Sequence, residues 1–335
     1  MSNKKTIKIQ PEVLEVTLEN NGIRLDRFIK LNINGIQQSH IEKLIGSGGI
    51  RVDGKKSKPY YNLSPTQKVT IPPKLKNQKY DTKVKQIFTP LKADIDLIKS
   101  SIIIEENDFI ALNKPSGIAV QGGSKIRRHI DGLIEHTFKN IDKHYLVHRL
   151  DIETSGALLI AKKRNCAKEL SELFKNNKLE KIYIAIVCGK VKNNSGIIDI
   201  PIIKGRFGKA EKVLVDKKYG LKSVTEYKCF GYSNGYSLLL LFPKTGRTHQ
   251  IRVHLSHLGY PILGDRKYGG NLKIDDNQNK STALKLHCFQ MSFKYKNKMK
   301  NIIKAELNND FNNTLKLLNL DKYLLSINMF IQNEN

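Results

Sequence analysis

Cysteine is scarce in this sequence: the four thiols, Cys166, Cys188, Cys229 and Cys288, lie 22, 41 and 59 residues apart and form no C-x-x-C pair. That spacing excludes a disulfide-stapled scaffold and a zinc ribbon, leaving reduced structural thiols as the expectation. Long apolar runs are missing too, since stretches such as residues 238–242 fall far short of the roughly 20 residues a membrane-spanning helix needs. The first ten residues lack an apolar h-region, a small-residue cleavage site and the Arg-rich pattern of a transit peptide, so a cytoplasmic location is expected. Phosphate-cradling motifs are absent: neither G-x-x-x-x-G-K-[ST] nor G-x-G-x-x-G occurs, which removes the usual basis for a nucleotide cofactor. H-E-x-x-H and G-x-S-x-G are missing as well. His249, His254 and His257 fall within nine residues, but no cysteine accompanies them and the first two point about 140° apart on a helix, so no metal site is expected.

Acidic residues are few, 31 Asp and Glu against 58 Lys and Arg, giving a net charge of +27. Such an excess suits a polyanionic partner. Because 47 of the 58 are lysine, an AT-rich coding bias gives the same enrichment, and charge alone does not decide. A length of 335 residues with 39% apolar and 27% charged side chains indicates a folded protein of two or three units rather than a disordered or fibrous one.

After an expected flexible terminus at 1–13, residues 14–73 read as a compact α+β unit. A helix at 24–31 carries Leu25, Phe28 and Ile29 on one stripe. A second, capped by Ser39, carries Ile41, Leu44 and Ile45 and stops at Gly46, Gly48 and Gly49. Strands at 50–52 and 67–71 flank Asp53-Gly54, a dipeptide suited to a tight turn. Residues 74–97 lack sustained periodicity and read as a basic linker. From 98 to 325 a larger α+β unit is expected on a mixed, mainly antiparallel sheet. Its strands fall at 102–105, 109–113, 157–161, 181–187 and 236–242, and its helices at 165–174 and 248–258. Residues 271–281 read as a polar loop, the stretch after Phe293 as a surface hairpin and last helix, and 326–335 as a tail. The basic stretch with Lys204, Arg206, Lys209, Lys212, Lys217, Lys218 and Lys222 reads as a solvated hairpin.

Two passages stand out chemically. His148-Arg149-Leu150-Asp151-Ile152-Glu153-Thr154-Ser155-Gly156 is a polar loop ending where an apolar strand begins, and it offers the carboxylate of Asp151 among hydroxyls and glycine. Thr245-Gly246-Arg247-Thr248-His249-Gln250-Ile251-Arg252 places two arginines around a helix start, a setting that favours anions and bidentate contact. Tyr183 is a third candidate, in a strand otherwise of Lys, Ile, Ala and Val. Taken singly, each has an ordinary reading: turn former, locally paired arginine, packed core ring.

Together these residues resemble a family. His148-Arg149-Leu150-Asp151 with Thr154-Ser155-Gly156, Asn113-Lys114-Pro115-Ser116-Gly117 upstream, and Gly246-Arg247-Thr248-His249-Gln250-Ile251-Arg252-Val253-His254 downstream are similar to the ribosomal large-subunit pseudouridine synthases. The first unit resembles the ribosomal-protein-S4-like RNA-binding module that precedes their catalytic domain. Lys58-Pro59-Tyr60-Tyr61-Asn62-Leu63 and Ile71-Pro72-Pro73 favour one member type over its neighbours. The resemblance implies isomerisation of uridine in large-subunit ribosomal RNA, a reaction that requires no redox carrier, nucleotide cofactor or metal; a monomer is expected because nothing in the sequence suggests an interface, and no membrane because no apolar run is long enough to span one. It gives Asp151 action on the ribose as nucleophile or base, Tyr183 stacking on the target base, and Arg252 the pairing of the Asp151 carboxylate. It gives Arg149 the space left by the flipped nucleotide and Arg247 a phosphate contact, while Arg24, Arg27, Arg51, Lys55 and Lys56 of the first unit are expected on RNA. Gln121 stands where the family more often has histidine, and lysine replaces much of its RNA-facing arginine. A transfer-RNA substrate, another member's ribosomal sites and a noncatalytic RNA-binding role are the alternatives.

Overall fold

The computed structural model describes residues 11–73, 75, 89–123, 126, 128–138, 143–207, 210–269, 283–296 and 300–334. The chain divides into two compact units, 1–87 and 88–335. The polar loop expected at 271–281, Lys209, and most of the expected linker lie outside the described residues.

In the first unit, β1 (Glu12–Glu15), β2 (Arg51–Val52) and β3 (Lys68–Ile71) form an antiparallel sheet with β3 central, beside α1 (Leu25–Asn32) and α2 (Gln38–Ser47). The apolar stripes explain the packing: Leu25, Phe28 and Ile29 of α1 meet Ile41 and Ile45 of α2 and Val69 and Ile71 of β3 in one core. Strand β1 begins inside the stretch expected to be a flexible terminus, because Glu12 and Val13 pair with Ile71 and Thr70. Helix α2 starts one residue before Ser39 and runs through Gly46; it ends at Gly48, whose left-handed φ of 81° suits glycine.

The second unit opens with α3 (Lys92–Ser100), β4 (Ile102–Glu105), β5 (Phe109–Lys114), α4 (Ile130–Thr137), β6 (Tyr145–Leu146), β7 (Ser155–Ala161) and α5 (Arg164–Lys175). It continues with β8 (Glu180–Cys188), β9 (Ser195–Asp199), the β10–β11 hairpin (Ile202–Phe207 and Ala210–Val215), β12 (Val224–Ser233) and β13 (Tyr236–Pro243). Helix α6 (Gln250–His257), β14 (Leu286–Lys294), β15 (Lys300–Lys304), α7 (Asn309–Leu317) and α8 (Leu324–Glu334) complete it. Ten strands make one sheet in the order β4-β5-β7-β14-β8-β13-β12-β9, with β6 on β7 and β15 on β14. Its β7–β14 pair is parallel and the other pairs are antiparallel, so the sheet is mixed and the unit α+β.

Strand alternation decides where the site forms. On β8, Ile182, Ile184 and Ile186 point into a cluster with Phe311 of α7 and Ile327 of α8. Ala185 and Val187, with Tyr183 beside them, point to the opposite cluster, which holds Ile251 and Leu255 of α6. Lys181 shares the Tyr183 parity. Residues 326–335, expected as a tail, lie largely in α8, because Ile327 and Ile331, four apart, are both buried. The end of the expected linker is likewise helical: α3 buries Ile98 and holds Asp94, which accepts from Arg128 Nε at 2.6 Å.

Gly156 fixes the join of β7 to β14. Its φ is +109°, and a Cβ there would lie 2.2 Å from the carbonyl oxygen of Cys288, its parallel partner. A Gly156→Ala change therefore meets backbone on both counts and is expected to destabilise by more than about 3 kcal/mol. Chemical unfolding checks this; an unchanged midpoint contradicts it.

Candidate active site

Asp151 lies in the loop between β6 and β7. Thr154 N–H donates to its carbonyl at 3.1 Å, closing a turn. The loop is tied to residues 114–118: Gly117 N–H reaches the Ile152 carbonyl at 2.9 Å and Ser116 Oγ the Glu153 carbonyl at 2.6 Å. Lys114 is fully buried, yet its ammonium is satisfied by the carbonyls of Pro115 (2.8 Å), Ile118 (2.8 Å) and Ile152 (3.1 Å). Burial lowers its pKa to about 7 against the opposing pull of Asp151. The effect is a stiff loop end with the Asp151 side chain 19% exposed.

Arg252, on the buried face of α6, aims at that carboxylate. Its Nη1 is 3.4 Å from Asp151 Oδ2 and its Nη2 3.5 Å from Glu153 Oε2. The guanidinium is braced from behind by Asp265, which takes Nε and Nη2 at 2.8 Å each while accepting the Lys267 and Tyr268 amides at 3.0 Å. Burial works against the Arg252 cation, but its hydrogen bonds to Asp265 outweigh that and raise its pKa above the ordinary guanidinium value, with the charges of Asp151 and Glu153 adding to the effect. The ring of Tyr268 lies 5.2 Å from the guanidinium carbon.

His249, just before α6, holds a left-handed backbone at φ 54°. Its Nδ1 is 2.7 Å from the Tyr268 hydroxyl, which accepts from Val213 N–H at 3.1 Å, and its Nε2 is 3.6 Å from Asp151 Oδ2. The Tyr268 hydroxyl and His249 Nδ1 share one hydrogen bond, whose direction follows the imidazole tautomer. His254 instead bonds Thr225 and the Ile200 carbonyl, so the three nearby histidines do not converge.

A cavity of ≈ 440 Å³ joins these parts, lined among others by Asp151, Tyr183, Arg252, Arg149, Arg247 and Lys181. That size suits a nucleotide-scale ligand. Burial beside Cys288 keeps the Tyr183 phenol protonated. Arg149 and Arg247 are exposed; Arg247 Nε reaches the Lys222 carbonyl at 3.4 Å. His148, also at the cavity, accepts the Leu159 amide on Nε2 at 2.8 Å and stacks on Phe174.

The cavity thus brings together Asp151, Tyr183, Arg252, Arg149 and Arg247. The five other candidates belong to the first unit: Arg24 is paired with Asp26 at 2.7 Å, Arg51 donates to the Gly48 and Gly54 carbonyls, and Arg27, Lys55 and Lys56 are exposed. Asp265 and Tyr268 lie outside every passage the sequence marks out, and Lys114 enters only as part of the Asn113–Gly117 motif, without a role. The only cue for Asp265 is an acid within a Gly-Asp-Arg turn, a common surface pattern.

Two neutral histidines make the unit acid-sensitive. Burial lowers His148 to about 3, helped by Lys181, and lowers His287 to about 4. The His287 ring is held by Ser155 Oγ at 2.8 Å and the Ala305 carbonyl at 2.9 Å. Both folded-state values lie below the ordinary 6.5, so from pH 6.5 to about 4 the unfolded chain binds protons that the folded chain refuses. Stability is expected to fall across that window by up to about 2.7 kcal/mol per pH unit. Thermal midpoints checked at pH 7.0, 5.5 and 4.5 should drop progressively; a flat series contradicts this.

The sequence profile for RNA pseudouridylate synthase matches residues 108–257, the stretch from β5 to the end of α6. A protein from Buchnera aphidicola subsp. Acyrthosiphon pisum (strain APS) named "Ribosomal large subunit pseudouridine synthase C" is 38% identical over 321 residues, 93% of this chain and 99% of that one. The protein of the same name from Escherichia coli (strain K12) is 32% identical over 265 residues, 79% and 82% of the two chains. Among solved structures, "Human RNA Pseudouridylate Synthase Domain Containing 4" aligns with a TM-score of 0.56 and 25% identity, covering 67% of this chain and 95% of that one.

Proposed function

The chain belongs to the RNA pseudouridylate synthase family, and on that premise we propose that it converts uridine to pseudouridine in large-subunit ribosomal RNA, as the C-type member of the family. The observation that carries the reading is the Asp265–Arg252–Asp151 line ending in a cavity faced by Tyr183. An ionised carboxylate held by a braced guanidinium suits attack on, or proton removal from, an electron-poor ribose.

The residues divide the work. Asp151 acts on the ribose while the C1′–N1 bond breaks. Arg252 keeps its carboxylate charged and aimed. Tyr183 offers a face for the base and helps retain the detached ring until it rejoins through C5, where exclusion of water prevents loss of the base. Arg149 fills the gap left by the extruded nucleotide and Arg247 meets phosphate. Arg24, Arg27, Arg51, Lys55 and Lys56 give salt-dependent affinity for the RNA backbone. Substrate and product have the same atoms, so the reaction calls for no redox carrier or metal, and one cytoplasmic chain acting as a monomer completes the reading.

Joining C5 to C1′ expels the C5 hydrogen. Large-subunit ribosomal RNA transcribed with 5-tritiated uridine is therefore expected to release tritium into water when incubated with the protein. No release from free RNA or from assembling particles overturns the reading.

A further inference from the structure

Among the described residues, five cations line the cavity: Arg149, Lys175, Lys181, Arg247 and Arg252. Arg149, Lys175 and Arg247 are exposed, and Arg252 is engaged by Asp265, Asp151 and Glu153. Lys181 is different. It is half-buried, shares the Tyr183 face of β8, and has no hydrogen-bond or ion-pair partner among the described residues. The two lysines fully buried among the described residues are each compensated, Lys114 by three carbonyls and Lys285 by Asp310. The Lys181 ammonium lies beside Gly246, where even a Cβ would stand 3.7 Å from Nζ.

Among the described residues, Asp151 is the one carboxylate lining the cavity, and it faces Arg252. Burial pushes the Cys288 thiol up to about 12 and holds the Tyr183 phenol protonated, while His148 stays neutral. Burial also lowers the Lys181 pKa. A partly desolvated ammonium without a counter-charge is costly alone and strongly favours an anion placed beside it.

The isomerisation proposed above generates such an anion. Heterolysis of C1′–N1 leaves the electron pair on uracil, spread from N1 onto O2 and O4. This holds whether an Asp151 oxygen bonds C1′ as that bond breaks, or Asp151 takes the C2′ proton and a C1′–C2′ double bond forms. C5 then bonds C1′ as the ester C–O bond breaks or C2′ regains its proton; C5 releases its hydrogen to water and N1 takes up a proton. We propose that Lys181 is a further catalytic residue, whose ammonium neutralises the charge that uracil carries while detached from the ribose. This rests on the isomerisation reading.

The test compares wild type, Lys181→Met and Lys181→Arg under single-turnover conditions on one ribosomal RNA fragment, made with uridine or with 5-fluorouridine. Fluorine stabilises the departing uracil anion, so a residue that stabilises the same anion matters less. Lys181→Met is expected to slow consumption of uridine by about 10²–10³-fold with RNA affinity within about 3-fold, and its defect to shrink at least about tenfold with 5-fluorouridine. Lys181→Arg restores most of the rate, and circular dichroism with Lys181→Gln as a second neutral variant separates loss of charge from loss of fold. Wild-type rates for Lys181→Met, equal defects on both substrates, or a fall in affinity and salt slope that accounts for the lost rate, as for a phosphate contact, each overturn the assignment. A failure of the isomerisation reading shows instead in the wild-type arm.

Discussion

Asp151→Asn is expected to lower pseudouridine formation by at least about 10³-fold while leaving the fold and RNA affinity intact. The change removes a charge and almost no volume. The loop does not depend on that carboxylate: it is held by the Asp151, Ile152 and Glu153 carbonyls, through Thr154, Gly117, Lys114 and Ser116. The carboxylate itself meets Arg252 Nη1 at 3.4 Å and His249 Nε2 at 3.6 Å, contacts that Asn retains only as weak polar ones. Turnover by single-turnover assay, affinity by filter binding and thermal unfolding separate the three quantities; comparable turnover by the variant contradicts the role given to Asp151.

Arg252→Met is expected to fail twice. It leaves Asp265, whose side chain is fully buried, with a charge and no counter-ion, at a cost of about 3–5 kcal/mol. It also frees the Asp151 carboxylate from its aim, at a cost of at least about 10²-fold in kcat. Adding Asp265→Asn separates the two effects. Asn neutralises the orphaned charge and still accepts the Lys267 and Tyr268 amides, so stability returns and turnover does not. Recovery of both by the double variant shows that Arg252 acts on the fold alone. No recovery of stability shows that the Asp265 charge was not the source of the loss.

The parts of the fold legible in the sequence are those where one physical signal dominates. Leu25, Phe28 and Ile29 mark α1 because three apolar residues share a stripe, and 157–161 marks β7 because a strand covered on both faces reads as an unbroken apolar run. Helix α3 is not legible in the sequence because its buried residues include Asp94, an acid paired with Arg128, so its apolar stripe is broken. Helix α8 resembles a tail in the sequence because its two buried isoleucines, Ile327 and Ile331, are separated by ordinary polar and apolar residues.

The site divides along the same line. Asp151 and Arg252 are visible because each lies in a polar passage abutting an apolar element, and the family resemblance links them. Their support is not visible. Asp265 is thirteen residues beyond Arg252 and meets it through the turn after α6. Lys114 carries a charge that local sequence assigns to water, and only the convergence of three carbonyls from two loops explains its burial. In the sequence Lys181 is merely part of a strand, since a missing partner is a property of three-dimensional surroundings.

Nucleotide-resolution mapping of pseudouridine in large-subunit ribosomal RNA, by carbodiimide adducts read as reverse-transcription stops, bears most directly on the assignment of Asp151 within this cavity. Transcript or ribosomal particles incubated with wild-type protein should acquire stops at discrete uridines, and the same substrates incubated with Asp151→Asn should acquire none. Stops at the same uridines with both proteins would refute the catalytic role of Asp151, and stops with neither would leave the cavity as a binding site without chemistry.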